Sequence, residues 1–126
     1  LPKILVIVIK RFCWTELGLR KIETNVSFPM KLDMAPYIEV EEDDDMEESE
    51  EPNSYRLKGV VVHHGNRLSS GHYTSYCAND EVDTTSDADV TEETWYHYND
   101  SKVELVDTDE VIEASPYLLF YEFEGT

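Results

Sequence analysis

Tyr73-Thr74-Ser75-Tyr76-Cys77 and Trp95-Tyr96-His97-Tyr98 decide how this chain is to be read. Both stretches are rich in aromatic residues, which fit the pleated, half-buried surface of a strand. They flank an acidic segment and read as the two arms of a hairpin with a long loop. Gly71-His72 stands directly before the first arm, and Asn99-Asp100-Ser101 directly follows the second. If the arms pair antiparallel, His72 at the start of one lies beside Asn99 at the end of the other, or beside Asp100 if the register differs by one.

Outward from that hairpin the pattern is again mostly that of strands. Ile4-Leu5-Val6-Ile7-Val8-Ile9 is a continuous apolar run, as expected of a strand buried on both faces, and Lys10-Arg11-Phe12 continues it to an edge. Leu19 to Phe28 places Ile22, Val26 and Phe28 in rough alternation before Pro29 stops it. Tyr55 to Val62 reads as a strand that is polar at first and buried later. Val103 to Val106 is a further strand. Asp107 to Ala114 suits a short helix with Asp107 or Thr108 as its cap and Pro116 as its end. Tyr117 to Tyr121 closes the chain as a last strand. Seven or so strands with one or two short helices predict an α+β domain built on an antiparallel-rich sheet. The absence of βαβ alternation and of a glycine-rich phosphate loop argues against a nucleotide-binding fold.

The 126 residues carry 28 Asp and Glu against 10 Lys and Arg, a net charge of −18. Ten of the acids lie between Glu39 and Glu51 and seven between Asp80 and Glu93, which leaves 11 acids against all 10 bases elsewhere. The acidity thus belongs to two segments, expected as solvated loop insertions at 39–54 and 79–94. The rest is nearly neutral and holds enough apolar and aromatic residues for a core. Clustered Lys and Arg are lacking, so a nucleic-acid surface is not expected. No apolar run approaches the roughly 18 residues of a membrane-spanning helix, and no signal sequence is apparent. Two cysteines, Cys13 and Cys77, make neither a disulfide framework nor a four-ligand zinc site.

Two segments are candidates for chemistry. Gly65-Asn66-Arg67-Leu68-Ser69-Ser70-Gly71-His72-Tyr73 sets a histidine at a strand mouth, where Gly71 removes side-chain bulk and an extended substrate backbone can come close. By itself a histidine beside a glycine turn also suits a solvated turn residue. In Trp95-Tyr96-His97-Tyr98-Asn99-Asp100-Ser101, the polar residues after the aromatic strand can orient an imidazole on the neighbouring strand. By themselves they equally suit a plain turn.

Taken together, these blocks match a family. Leu1-Pro2-Lys3-Ile4-Leu5, Ile9-Lys10-Arg11-Phe12, Val26-Ser27-Phe28-Pro29, Leu32-Asp33, Tyr55-Arg56-Leu57, Val61-Val62-His63-His64-Gly65, Ser70-Gly71-His72-Tyr73-Thr74-Ser75-Tyr76, Trp95-Tyr96-His97-Tyr98-Asn99-Asp100-Ser101 and Tyr117-Leu118-Leu119-Phe120-Tyr121-Glu122 occur in that order. The series resembles the C-terminal, palm-side half of the catalytic domain of ubiquitin-specific proteases, which are papain-like cysteine proteases. It covers nearly all of 1–126 apart from the acidic segments.

The resemblance implies that His72 is the general base and that Asn99 orients it by accepting its Nδ1–H, with Asp100 as an assisting polar residue. It places Asn66, Ser69, Ser70, Gly71 and Tyr73 at the groove for the C-terminal tail of ubiquitin. A second, more variable loop near that groove coincides with 39–54, where acids could steer the basic tail or merely keep an insertion soluble. Implied partners are ubiquitin, ubiquitinated proteins and the N-terminal half of the same catalytic domain, in cytoplasm or nucleus. The family's cysteine block, Asn-x-Gly-Asn-x-Cys, does not occur here, and neither do its zinc-binding Cys-x-x-Cys pairs. No cofactor or metal is therefore expected in this stretch, and alone it should be inactive. Cys77 lies an odd number of residues from His72, on the opposite face of its strand, and reads as a small core residue. Cys13 also reads as packed. One of His63 and His64 is expected to be packed and the other exposed, and His97 to be structural. The competing reading is a non-catalytic ubiquitin-binding or scaffold module, which would have no need of both His72 and Asn99.

Overall fold

The structure, a computed structural model, describes residues 1–39, 53–79 and 93–125. The two acidic insertions fall almost wholly outside the described residues, so what was expected of them lies outside as well. β5, Ser54–His64, is the axis of the fold. One of its edges pairs with β9, Leu118–Phe123; the other pairs first with β4, Lys31–Asp33, and then with β6, His72–Asn79. β1, Ile4–Val8, flanks β9, while β7, Thr94–Asn99, and β8, Lys102–Val106, extend the far side. The sheet order is β1-β9-β5-β6-β7-β8 with β4 beside β5, every pairing antiparallel.

A bulge in β5 between Leu57 and Gly59 resets the alternation of its side chains. Tyr55 and Leu57 before it, and Val60 and Val62 after it, consequently share one face. That face is the core: Leu119 and Tyr121 of β9, Tyr76 of β6, Trp95 of β7 and Phe28 close on it. Helix α1, Thr108–Glu113, adds fully buried Val111. As expected, Asp107 caps the helix, accepting from the Glu110 amide at 3.0 Å. Burial pushes Tyr121 up to about 12, and its hydroxyl donates to the Pro29 carbonyl at 2.8 Å, so its polar end is satisfied inside the core. Leu57 has no exposed surface, and Leu57→Ala is expected to cost roughly 2–5 kcal/mol, seen as a lower denaturation midpoint of the full-length protein.

Four expectations need correction. β1 is not buried on both faces: it pairs with β9 alone, and Ile4, Val6 and Val8 are 52%, 46% and 54% exposed, while Leu5 and Ile7 pack on the core. A continuous apolar run shows that both faces of a strand are apolar, not that both are covered. Lys10-Arg11-Phe12 does not prolong β1. Arg11 is instead buried, with Nε donating to the Pro116 carbonyl at 2.8 Å and Nη1 to those of Ile22 and Thr24 at 3.0 and 2.8 Å. Phe12 then opens a separate hairpin of β2, Phe12–Thr15, and β3, Gly18–Lys21. The strand expected over 19–28 is thus only β3, because beyond it the Arg11 guanidinium, and not a neighbouring strand, satisfies the carbonyls. Finally, β5 is buried from its start on one face: Tyr55 and Leu57 are as buried as Val60, and the polar Arg56 and Lys58 take the alternate positions.

Candidate active site

β6 and β7 pair antiparallel, with Tyr76 opposite His97 and Ser75 opposite Tyr98. The acidic segment between them does not prevent the pairing, because lengthening a loop adds little to the entropic cost of bringing its ends together. His72 opens β6 and Asn99 ends β7, and the His72 Nε2 lies 2.6 Å from the Asn99 Oδ1. Asp100 and Ser101 form the two-residue turn into β8, closed by Asn99 opposite Lys102. Asp100 is exposed and holds a left-handed φ of 49°, a conformation that Asp tolerates better than most residues. Asn99, not Asp100, therefore meets His72.

The nitrogen it meets is Nε2, whereas Nδ1 was expected. With Oδ1 as acceptor, Nε2 carries the proton in the neutral ring, and Nδ1 is left as the basic nitrogen. The arrangement can accept a proton at Nδ1 and hold the resulting imidazolium in place through the amide oxygen.

His64, opposite His72 on β5, shares its face. The two rings lie 6.0 Å apart at 33°, and the His64 Nε2 is 2.8 Å from the Thr74 Oγ1. Burial, followed by the charges of His72 and Lys21, holds His64 below the usual histidine value. It is exposed, while His63 is 5% exposed, so the pair splits as expected. His97 stacks on Tyr76 with centroids 4.5 Å apart, a packing position on the same face.

Residues 66–70 are exposed and connect β5 to β6. Asn66, Ser69 and Ser70 lie on this loop, and Gly71 ends it at a φ of 145°. A Cβ on Gly71 would come 2.5 Å from the His64 carbonyl oxygen and 2.6 Å from the His63 Nε2, so only glycine fits. Tyr73 points to the opposite face from His72, half exposed, its ring 5.0 Å from His63 and 6.1 Å from Tyr117. The loop and His72 are thus brought together, whereas Tyr73 stands on the other side of the sheet.

Cys77 does face away from His72, but it is half-buried beside Ser75 on the side opposite the core, so it is not the core residue expected. Cys13 is half-buried on β2. Among the described residues, no three His, Cys, Asp or Glu side chains form a group able to hold a metal, and no helix is long and apolar enough to cross a membrane.

Sequence reasoning missed the β2–β3 hairpin and its contacts with the loop. Leu19 of β3 lines one hollow with Arg67, Leu68 and Ser69, and Lys21 donates to the carbonyls of His63 and Gly65. The available signal was Gly18 between two short apolar stretches: its φ of 108° lets the chain reverse after Glu16 and Leu17.

The family model described as ubiquitin carboxyl-terminal hydrolase matches residues 1–121. "Ubiquitin carboxyl-terminal hydrolase 3" of Homo sapiens is 40% identical over 122 residues, covering 96% of this chain and 20% of the human protein. "Ubiquitin carboxyl-terminal hydrolase 20" of Arabidopsis thaliana is 32% identical across 100% of this chain and 16% of its own length. Among solved structures, the SAGA Ubp8/Sgf11/Sus1/Sgf73 DUB module bound to ubiquitin aldehyde aligns with a TM-score of 0.76 and 30% identity, over 100% of this chain and 26% of that one. The chain therefore spans about a fifth of the length of the relatives it matches.

Proposed function

The chain belongs to the ubiquitin carboxyl-terminal hydrolase family, and from that premise we propose that it supplies the general base, and the residue orienting it, to a deubiquitinating thiol protease. The observation that carries the proposal is the 2.6 Å contact between the His72 Nε2 and the Asn99 Oδ1 across β6 and β7. The nucleophilic cysteine comes from outside these 126 residues. His72 takes the thiol proton at Nδ1, and the thiolate attacks the carbonyl of the peptide or isopeptide bond at the C-terminus of ubiquitin. His72 then returns the proton to the departing amine as the tetrahedral intermediate collapses to a thioester. In the second half of the cycle it accepts a proton from the water that hydrolyses the thioester. Asn99 holds the ring throughout. Being neutral, it stabilises the imidazolium less than a carboxylate would, which suits a resting thiolate–imidazolium pair.

On this reading Asn66, Ser69, Ser70 and Gly71 border the path of the ubiquitin tail, and Tyr73 supports it from the opposite face. The partners are ubiquitin, ubiquitinated proteins and the remainder of the catalytic domain, in cytoplasm or nucleus. The reaction as proposed needs no cofactor from this stretch.

The test uses the full-length protein with a fluorogenic amide of the ubiquitin C-terminus and a ubiquitin probe that captures thiols. Turnover and labelling are expected from the whole protein, and neither from the 126 residues alone. Asn99→Ala is expected to lower kcat/KM about ten- to a hundredfold, because it orients the base without itself moving a proton. Asn99→Asp, which keeps an acceptor, should retain most of the activity. Binding of ubiquitin by the full-length protein without any hydrolysis would sink the proposal and leave a binding module in its place.

A further inference from the structure

Lys21 ends β3, and its side chain leaves the hairpin for a different element. Its Nζ donates to the His63 carbonyl at 2.9 Å and to the Gly65 carbonyl at 2.8 Å. These two carbonyls bracket His64, the residue paired with His72 across β5 and β6. They also mark the point where β5 ends and the loop of residues 65–71 begins. That loop is closed at a narrow neck: a Cβ on Gly65 would lie 3.3 Å from the Gly71 Cα, and one on Gly71 would run into His63 and the His64 carbonyl. His72 is the first residue beyond the neck. The place of its ring against Asn99 thus depends on where the neck holds the Gly71 backbone.

We propose that Lys21 is a positioning residue for His72, an ammonium clamp that fixes the neck of the 65–71 loop from the β2–β3 hairpin. An ammonium has three donors and no acceptor, and its charge strengthens hydrogen bonds to carbonyls. One group can therefore hold two carbonyls, two residues apart, at a set spacing. The hairpin bears on the neck a second time through Phe12 of β2, whose ring lies 5.5 Å from that of His63, edge to face. His63 itself is buried, and neither of its ring nitrogens has a hydrogen-bond partner among the described residues. Its ring lies directly against Gly71 and fills space under the neck, while Lys21 supplies the polar hold. Both strands of the hairpin thereby support one backbone site, although the contact that orients His72 runs to Asn99. The inference rests on the reading of His72 as the general base, and it extends the site to a side chain 51 positions earlier in the chain.

The test compares the full-length protein with three variants. Lys21→Met keeps the stem and removes every donor; kcat is expected to fall about tenfold or more while KM changes less than about threefold, since a small displacement of a base slows the reaction without weakening the hold on substrate. The Nε2–H proton resonance of His72, observed with selectively labelled histidine, is expected to shift upfield as the bond to Asn99 lengthens. Lys21→Arg, which keeps the charge and donors for both carbonyls, should bring kcat back to within about threefold of the parent. Arg20→Met, at the exposed neighbouring position, should change neither readout. The proposal is overturned if Lys21→Met leaves kcat and the His72 resonance unchanged, or if Lys21→Arg is as impaired as Lys21→Met. Should the parent protein hydrolyse no ubiquitin amide, the functional reading fails, while the resonance still decides whether Lys21 positions His72.

Discussion

His72→Ala in the full-length protein is expected to lower kcat/KM against a ubiquitin C-terminal amide by about ten-thousandfold, with ubiquitin binding retained. Among the described residues, the neighbouring imidazoles are engaged elsewhere. His64, paired with His72 across β5 and β6, has its ring 6.0 Å away and its Nε2 engaged with Thr74. His97 is stacked on Tyr76. Thiol labelling by a ubiquitin probe should fall with turnover, because the same ring generates the thiolate. Separate measurements of turnover, labelling and ubiquitin affinity distinguish lost chemistry from lost folding. Activity within tenfold of the parent would remove His72 from the mechanism.

Gly71→Ala is expected to reduce kcat/KM about a hundredfold or more, through the backbone and not through lost chemistry. The new Cβ would lie 2.5 Å from the His64 carbonyl oxygen and 2.6 Å from the His63 Nε2, at a φ of 145° that alanine does not adopt without strain. Neither neighbour can yield: the carbonyl belongs to β5, and the His63 ring is hemmed in by Phe12, Tyr73 and Tyr117. The backbone at Gly71 must move, and His72 with it. Gly65→Ala makes a graded comparison, since its closest approach is 3.3 Å and its cost should be smaller. The two rates, with thermal midpoints measured alongside, check the ranking. A Gly71→Ala protein within threefold of the parent would mean that the neck is softer than its geometry shows.

The parts of the site that are local in sequence were legible without a structure. Two aromatic-rich stretches define the arms, and their antiparallel pairing brings the start of one beside the end of the other, where His72 meets Asn99 and not Asp100. The Asp107 cap and the closing strand are equally local, set by an orphan amide and by a run of apolar residues before the end of the chain. What misled is also local. The apolar run of β1 carries no mark of which face will be covered, and the alternation over 19–28 carries no mark that Arg11 will claim its carbonyls. The choice of Nε2 over Nδ1 follows from the approach of Asn99, and no residue spacing encodes it.

The sequence by itself determined most of the strands, the helix cap and that His72 and Asn99 stand at neighbouring ends of two arms, because alternation, capping and turn chemistry act over a few neighbouring residues. Only the tertiary structure decided which faces are covered, how a bulge in β5 gathers Tyr55, Leu57, Val60 and Val62 onto one side, and that Lys21 reaches the neck beneath His72. Those outcomes depend on contacts such as Lys21 to Gly65 and Arg11 to Pro116, 44 and 105 residues apart. No periodicity in a single chain records a contact of that range, because the geometry that closes it is supplied by every element packed in between.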